Sequence, residues 1–264
     1  MYDFAYQKPG SVADAVRALG ADAEAKALAG GMTLIPVLKQ RLNHPTVVVD
    51  LSKAGLAGIT AGAGSVTIGA MTTHAAVAHS ADVARLVPAL AALAGGIGDE
   101  QVRHRGTIGG SLANNDPAAD YPAAVLALGA TITTNKRDIA ADDYFKGMFA
   151  TALGADEIIT KVTFPAVAHA NYQKFRNPAS RYAIVGVFVA KTASGVRVAV
   201  TGAGQGGAFR HTAMEQALSA KFSPDAIAAI VTSPDDLNAD IHASAEYRAH
   251  LIGVMARRAV AAAA

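Results

Sequence analysis

The chain contains 264 residues, of which 52% are hydrophobic and 17% are charged, enough for one large domain or two to three compact ones. Its 23 Lys and Arg residues nearly balance 21 Asp and Glu residues, so the net charge of +2 does not indicate nucleic-acid binding. The absence of cysteine excludes disulfides, a cysteine nucleophile and cysteine-ligated iron–sulfur clusters within this chain.

No stretch of 18 apolar residues is present, so the sequence predicts no membrane span. The opening Met1-Tyr2-Asp3-Phe4 lacks both a basic segment and a following apolar segment, which a secretory signal would require. We therefore expect a cytoplasmic protein whose mature chain starts at this methionine.

The first 52 residues predict a small unit of parallel strands and helices. Ser11 is a suitable N-cap for a helix that ends near Gly20, and residues 26–28 form a strand before the pair Gly30-Gly31. A second helix is predicted over 33–42. The β-branched segment 46–51 is typical of a strand that is buried on both faces.

Residues 53–166 predict a hairpin, several helices and further strands. The hairpin covers 58–61 and 65–69, and the stretch 98–115 is predicted to be a long functional loop because it has four glycines and no sustained period. Helices are predicted over 72–79, 83–93 and 120–129, and strands over 130–134, 138–140 and 157–164.

A boundary is predicted near 165–170. Beyond it, three successive strands are followed by helices. The predicted strands are 171–176, 182–191 and 196–201, and the predicted helices are 211–218, 224–231 and 244–262.

A first glycine motif lies where a strand turns into a helix. It reads Ala29-Gly30-Gly31-Met32-Thr33-Leu34. Glycines let a ligand approach the backbone closely, and the unpaired amides at a helix start favour an anion such as a diphosphate. On its own, a Gly-Gly pair before a helix is most often only a tight turn.

A second glycine motif lies in the long predicted loop. It reads Arg105-Gly106-Thr107-Ile108-Gly109-Gly110-Ser111 and is followed by two carboxylates, Asp116 and Asp120, at a predicted helix start. The motif predicts another run of accessible backbone donors. Asp116 is expected to cap the helix, which would leave Asp120 free to accept hydrogen bonds from a polyol or a heterocycle. The alternative is a capped helix after a flexible loop.

The two motifs together resemble the FAD-binding medium subunit of molybdenum hydroxylases, the superfamily of carbon monoxide dehydrogenase and xanthine dehydrogenase. The resemblance spans almost the whole chain. It also includes five further segments: Phe4-Ala5-Tyr6-Gln7-Lys8-Pro9, Val102-Arg103-His104-Arg105-Gly106, Tyr172-Gln173-Lys174-Phe175, Tyr182-Ala183-Ile184-Val185-Gly186-Val187 and Ser244-Ala245-Glu246-Tyr247-Arg248.

The resemblance implies an α+β flavoprotein of the vanillyl-alcohol-oxidase or p-cresol-methylhydroxylase type. It implies an FAD-binding domain over 1–166, with two α/β subdomains over about 1–52 and 53–166. A C-terminal domain over 167–264 would contain a three-stranded antiparallel sheet and helices.

The resemblance also implies which residues bind noncovalent FAD. The backbones of the two motifs would hold the diphosphate, Asp120 would accept hydrogen bonds from the polar portion of the flavin, and Asp116 would lie beside it. Lys174 would place a positive charge near the ring, where it favours the reduced, anionic flavin, and Tyr182 would lie against the ring. The predicted FAD-binding residues are Ala29, Gly30, Gly31, Met32, Thr33, Leu34, Thr107, Ile108, Gly109, Gly110, Ser111, Asp116, Asp120, Lys174 and Tyr182.

Three positions depart from the family pattern. Ser111 and His104 stand where asparagine is common, and Met32 occupies a position that is often polar. We expect FAD binding to persist, with different side-chain contacts at these points.

Two other features predict no site. The segment Gly202-Ala203-Gly204-Gln205-Gly206-Gly207 matches a dinucleotide-binding pattern, but Asp225 at the appropriate distance lies at a helix start instead of a strand end. His74 and His79 are five residues apart, off a common helical face, and are predicted to be exposed or hydrogen-bonded.

Three functions remain open from the sequence. The first is an FAD-bearing electron-transfer subunit, with the molybdenum cofactor on a large partner, [2Fe-2S] clusters on a small partner and a dimer of heterotrimers as the assembly. No catalytic acid or base and no metal ligand are predicted in this chain. The second is a self-sufficient FAD-dependent oxidase or reductase of the same fold, and the third is a scaffold that has lost the cofactor.

Overall fold

The structure is a computed structural model that describes residues 1–263. Its first region is a three-stranded sheet with two helices. The elements are β1 (Ala5–Gln7), α1 (Val12–Gly20), β2 (Lys26–Leu28), α2 (Leu34–Lys39) and β3 (Val47–Asp50). Both β1 and β2 pair in parallel with β3, which lies between them. This confirms the predicted parallel unit, with the β-branched strand at its centre.

The second region is a five-stranded sheet in which every pair is antiparallel. Its spatial order is β4-β5-β10-β6-β7. The elements are β4 (Ile59–Ala61), β5 (Ser65–Gly69), α3 (His74–Ala78), α4 (Ala81–Leu86), α5 (Pro88–Gly95), α6 (Glu100–Arg105), α7 (Ile108–Asn114), α8 (Tyr121–Leu128), β6 (Thr131–Thr134), β7 (Asp138–Ala140), α9 (Ala141–Tyr144), β8 (Phe145–Gly147), β9 (Ala150–Thr151) and β10 (Ile159–Pro165). Helix α8 is the centre of this region, because all eight of its residues are buried.

The prediction of an irregular loop over 98–115 is wrong, since this segment forms α6 and α7. Asp99 caps α6 by accepting a hydrogen bond from the Val102 amide, and Thr107 caps α7 by accepting one from the Gly110 amide. Helix α6 buries none of its residues, so it leaves no apolar period in the sequence.

The helix predicted over 83–93 is divided in two. Val87 has an extended φ of −146°, and Pro88 begins the next helix. Proline lacks the amide that would continue the first helix, so its favoured place is the first turn of a new one.

The third region contains a four-stranded antiparallel sheet in the order β11-β12-β13-β14. Its elements are β11 (Ala170–Arg176), β12 (Ala183–Thr192), β13 (Gly195–Thr201), β14 (Phe209–Arg210), α10 (Thr212–Ala220) and α11 (Ala245–Ala263). The three long strands confirm the prediction, and the two-residue β14 is additional. The helix predicted over 224–231 is a single 3-10 turn, Pro224–Ile227.

The third region packs both on itself and on the rest of the molecule. Helix α11 packs against β11 and β12, α10 packs against β13, and α8 contacts β12 and β13. Because α8 contacts this sheet, the ends of β11, β12 and β13 lie beside the loop that enters α8.

No helix within residues 1–263 is long and apolar enough to cross a lipid bilayer.

Candidate FAD-binding site

The first glycine motif presents a row of unpaired backbone donors. Within residues 1–263, the five amides of 30–34 have no hydrogen-bond acceptor. Gly31 has a φ of +77°, a left-handed conformation that favours glycine, and Met32 and Thr33 are exposed. Successive free amides at the turn between β2 and α2 and at the first residue of α2 are donors available to an anion.

The structure brings the two glycine motifs into direct contact. A Cβ atom on Gly30 would lie 2.0 Å from the Arg105 carbonyl oxygen, and one on Gly110 would lie 3.3 Å from the Ala29 Cβ. Arg105 and Gly110 lie 75 and 80 residues after Gly30. Only glycine at position 30 permits this approach, which sets the start of α7 against the row of free amides.

The second motif does not supply the run of accessible donors that the sequence predicts. The amides of Ile108 and Gly109 donate to the carbonyls of Thr72 and Ala70, at 3.1 and 2.9 Å, and that of Ser111 donates to the Thr107 carbonyl at 3.0 Å. The Gly110 amide is held by the Thr107 hydroxyl. The side chain of Ile108 lies in the core. This motif therefore brings its backbone close to the first motif, but its amides at 108–111 are already hydrogen-bonded within the protein.

The two carboxylates of the second motif also differ from expectation. Asp116 does not cap α8, because its Oδ1 accepts a hydrogen bond from the Ala118 amide at 2.8 Å. Asp120 occupies the N-cap position but makes no capping bond with its side chain. It is buried and bonded to two residues of β11: the Tyr172 hydroxyl donates to Oδ1 at 2.5 Å, and Lys174 Nζ lies 2.9 Å from Oδ1.

Asp120 and Lys174 thus form a buried ion pair. Their side chains are 5% and 4% exposed, and Lys174 also donates to the Gly96 carbonyl at 3.0 Å. Burial raises the pKa of Asp120, while Lys174 and Tyr172 oppose that rise. The expectation of an Asp120 carboxylate free of protein partners is therefore wrong.

Tyr182 is open to solvent, with 55% of its surface exposed. It precedes β12, and its carbonyl accepts a hydrogen bond from the Asn177 amide at 2.8 Å. Partial burial and the carboxylates of Asp116 and Asp120 raise the pKa of its phenol, which keeps the phenol neutral at physiological pH. An exposed, neutral aromatic ring beside a polar loop can receive a planar ligand.

A cleft of about 230 Å³ lies between Tyr182 and the loop that enters α8. One wall is formed by Asp116, Pro117 and Ala118, and the opposite wall by Tyr182, Ala183 and Ile184. Helix α7 connects this loop to the glycine motifs and is roughly 10 Å long from its seven residues. The row of free amides and the cleft beside Tyr182 are consequently at the two ends of one short helix.

Sequence reasoning missed the residues that hold this arrangement together. The Thr201 hydroxyl donates to the carbonyls of Pro117 and Ala119, at 3.1 and 2.6 Å, and the Gly202 amide donates to the Pro117 carbonyl at 2.8 Å. The sequence indicates Tyr172 only as a member of a segment that resembles the family, and not as a partner of Asp120. Such contacts join residues more than 50 positions apart, and no local pattern signals them.

His74 differs from the prediction that it is exposed or hydrogen-bonded. It is buried, and its Nδ1 has no partner within residues 1–263. Burial, together with the charge of Arg103, lowers its pKa to about 4, so the imidazole is neutral at physiological pH. A Cβ on Gly106 would lie 2.5 Å from the His74 Nε2, so the His74 ring packs directly against the backbone of the second motif.

Comparison with known proteins agrees with the geometry. Residues 2–167 match the family described as the FAD binding domain in molybdopterin dehydrogenase. The nicotine 6-hydroxylase medium subunit of Paenarthrobacter nicotinovorans is 38% identical over 97% of this chain and 95% of its own length. The carbon monoxide dehydrogenase medium chain of Afipia carboxidovorans is 36% identical over 97% of this chain and 95% of its own length.

Solved structures show the same architecture over the whole chain. Carbon monoxide dehydrogenase from Hydrogenophaga pseudoflava superimposes with a TM-score of 0.90 and 34% identity, covering 99% of this chain and 97% of that one. Quinoline 2-oxidoreductase from Pseudomonas putida 86 gives a TM-score of 0.89 and 28% identity over the same shares.

These likenesses extend over both the glycine motifs and the C-terminal sheet, so they define a flavoprotein of the medium-subunit type. The chain belongs to the family of FAD-binding medium subunits of molybdenum hydroxylases, and it is an oxidoreductase subunit.

Proposed function

We propose that this chain transfers electrons from [2Fe-2S] clusters on a partner subunit to an external acceptor, using a noncovalently bound FAD. The observation that carries the proposal is the row of five free amides at 30–34, together with the contacts of Gly30 with Arg105 and of Ala29 with Gly110, which place this row beside the start of α7. Bound flavin supplies the chemistry that joins single-electron donors to a two-electron acceptor, and the protein supplies orientation and electrostatics.

The residues of this chain would divide the binding between them. The amides of 30–34 would donate to the diphosphate, and Gly110, which lies against Ala29, would let it approach α7 closely, while the buried Gly109 lets α7 pack against Ala70. The Ser111 side chain would face the same surface. At the other end of α7, Tyr182 would lie against the ring and Asp116 would accept hydrogen bonds from the polar portion of the flavin.

Asp120 and Lys174 would act differently from the sequence expectation. Because each is the other's partner, we propose that together they hold the loop of Asp116 in place. Lys174 would still place a positive charge near the cleft, although its pairing with Asp120 would reduce the electrostatic effect of that charge on the flavin.

The partners follow from the family and from the chain's own composition. This chain has no cysteine to hold a cluster, so we propose a small partner with the [2Fe-2S] clusters and a large partner with the molybdenum cofactor. The full assembly would be a dimer of heterotrimers. Within this chain, we propose an FAD-binding domain over 1–166, with subdomains over 1–52 and 53–166, and a C-terminal domain over 167–264.

Titration of the purified chain with FAD tests the binding step. We expect one FAD per chain, a yellow protein and a higher midpoint of thermal unfolding as FAD is added. A folded, colourless protein that takes up no FAD would overturn the proposal.

Co-expression with a large molybdenum-cofactor subunit and a small [2Fe-2S] subunit from the same organism tests the electron transfer. We expect that substrate added to the assembled complex bleaches the flavin absorption and that the isolated chain turns over no organic substrate. Turnover by the isolated chain would favour a self-sufficient oxidase or reductase of the same fold.

A further inference from the structure

Arg248 is a buried cation at the base of the cleft that the proposed function leaves unused. It lies in the first turn of α11 and is 3% exposed. Its Nη1 donates to the carbonyls of Ile184 and Gly202, at 2.5 and 2.9 Å, and its Nη2 donates to Asp240 Oδ2 at 2.7 Å. A guanidinium is costly to bury unless such bonds compensate it.

These bonds reach both walls of the cleft. Ile184 lies two residues after Tyr182, at the start of β12, so a hydrogen bond to its carbonyl holds the end of the strand that follows Tyr182. Gly202, on the other side, uses its amide to hold the Pro117 carbonyl. One guanidinium therefore connects the wall that carries Tyr182 with the wall that carries Asp116.

The backbone between the walls is unusually close. Gly202 has a φ of +82°, and a Cβ there would lie 2.4 Å from the Ala183 carbonyl oxygen. The carbonyls of Ile184 and Gly202 converge on one nitrogen of Arg248, which offsets their mutual repulsion. Without this cation, we expect the start of β12 and the end of β13 to separate, moving Tyr182 away from Asp116.

The Asp240 carboxylate fixes the guanidinium in turn. It accepts hydrogen bonds from the amides of His242 and Ala243, at 2.8 and 3.1 Å, and these bonds, with the Arg248 cation, lower its pKa despite its partial burial. The pair is therefore charged at physiological pH. Its geometry is set by a rigid turn on one side and by α11 on the other.

We propose that Arg248 is a positioning residue that sets the placement of Tyr182 against the bound flavin ring and thereby the reduction potential of the flavin. The second half of this inference rests on the proposed function, whereas the first half concerns this chain alone. Arg248 lies at the base of the cleft, and its Nη1 bonds go to the carbonyls of Ile184 and Gly202, so we expect it to act through the two walls.

A test without flavin measures the placement of Tyr182. The chain is labelled with 3-fluorotyrosine, and the Tyr182 resonance in the ¹⁹F spectrum is assigned with Tyr182→Phe. Arg248→Lys keeps the charge but loses the forked geometry, so we expect the Tyr182 resonance to shift while that of the distant Tyr2 stays in place. Arg258→Lys, at an exposed position of the same helix, is the matched control. An unmoved Tyr182 resonance in Arg248→Lys overturns the inference.

A test with flavin measures the reduction potential in a double-mutant cycle of Arg248→Lys and Tyr182→Ala. If Arg248 acts through Tyr182, its substitution shifts the potential of the wild-type background and has less than half that effect in the Tyr182→Ala background. Equal shifts in both backgrounds would show that Arg248 affects the flavin independently of Tyr182, and no shift in either background would show that it does not affect the potential; either result would overturn the inference.

Two other results of these experiments also have a defined interpretation. If Arg248→Lys does not fold, Asp240→Asn replaces it in both tests, because it removes only the charge partner at a half-exposed position. If the wild-type chain folds but binds no FAD, the proposed function and the redox half of the inference both fail, and the fluorine spectrum still decides whether Arg248 positions Tyr182.

Discussion

At the scale of single residues, Gly30 makes the meeting of the two motifs possible. A methyl group there would collide with the Arg105 carbonyl, so Gly30→Ala must push α6 and α2 apart. We expect FAD affinity to fall at least tenfold, which corresponds to about 1.4 kcal/mol of binding free energy. Fluorescence titration with FAD measures it.

The matched control for Gly30 is Gly10→Ala, since a Cβ on Gly10 meets no atom within 4 Å. It should leave both the affinity and the unfolding midpoint close to wild type. Wild-type affinity in Gly30→Ala would show that the contact between the motifs does not shape the diphosphate surface.

Glu157 gives the molecule a predictable response to acid. Hydrogen bonds from Arg137 are the largest contribution that lowers its pKa, to about 2, and burial opposes them. A carboxyl whose pKa is lower in the folded state stabilises the fold above its unfolded pKa of 4.5, and this stability is lost as the pH falls towards 2.

We therefore expect Glu157→Gln to be less stable than wild type at pH 7 and to lose less stability between pH 4.5 and pH 2. Urea unfolding across this range measures both differences. Glu24→Gln, at an exposed position, is the control and should follow the wild-type curve. Parallel curves for Glu157→Gln and wild type would contradict the assignment.

At the scale of elements, the short helix α6 depends on its cap. Asp99 accepts a hydrogen bond from the Val102 amide at 2.9 Å, and α6 buries none of its residues. Asp99→Ala should cost about 1 kcal/mol of unfolding free energy, whereas Asp99→Asn keeps a good cap and should cost much less. Urea unfolding of the pair checks this, and equal losses would show that charge and not capping matters.

Elements with a strong local pattern could be predicted from the sequence. Each end of the strands β11, β12 and β13 lies within one residue of its predicted position. This agreement is good because the β-branched runs of these strands are bounded by turns. Helices α6 and α7 could not be predicted from periodicity, since they have only six and seven residues and four glycines lie in the segment 98–115. Their caps, Asp99 and Thr107, were the available signal.

At the scale of the whole molecule, the site depends on contacts between distant parts of the chain. The glycine motifs could be identified locally, but their contact could not, because it joins Gly30 to Arg105. The pairing of Asp120 with Lys174 joins a helix start to a strand 54 residues later. Sequence reasoning named both residues and assigned each to a ligand, because no local pattern shows that they bind one another.

The Asp120–Lys174 pair joins the region of α8 to the C-terminal sheet, so its loss should affect the whole fold. Lys174→Met leaves the Asp120 carboxylate buried without its cation, at a cost of about 3 kcal/mol in unfolding free energy at pH 7. Burial already raises the pKa of Asp120, and removal of Lys174 raises it further.

A carboxyl with a raised pKa in the folded state is protonated more easily, so the stability deficit of Lys174→Met relative to wild type should shrink as the pH falls from 7 to 5. The double variant Asp120→Asn with Lys174→Met removes the buried charge and should recover part of the loss at pH 7. Urea unfolding at both pH values measures these differences. If the single and double variants are equally destabilised, the cost comes from lost packing of the lysine side chain and the ion pair does not secure the interface.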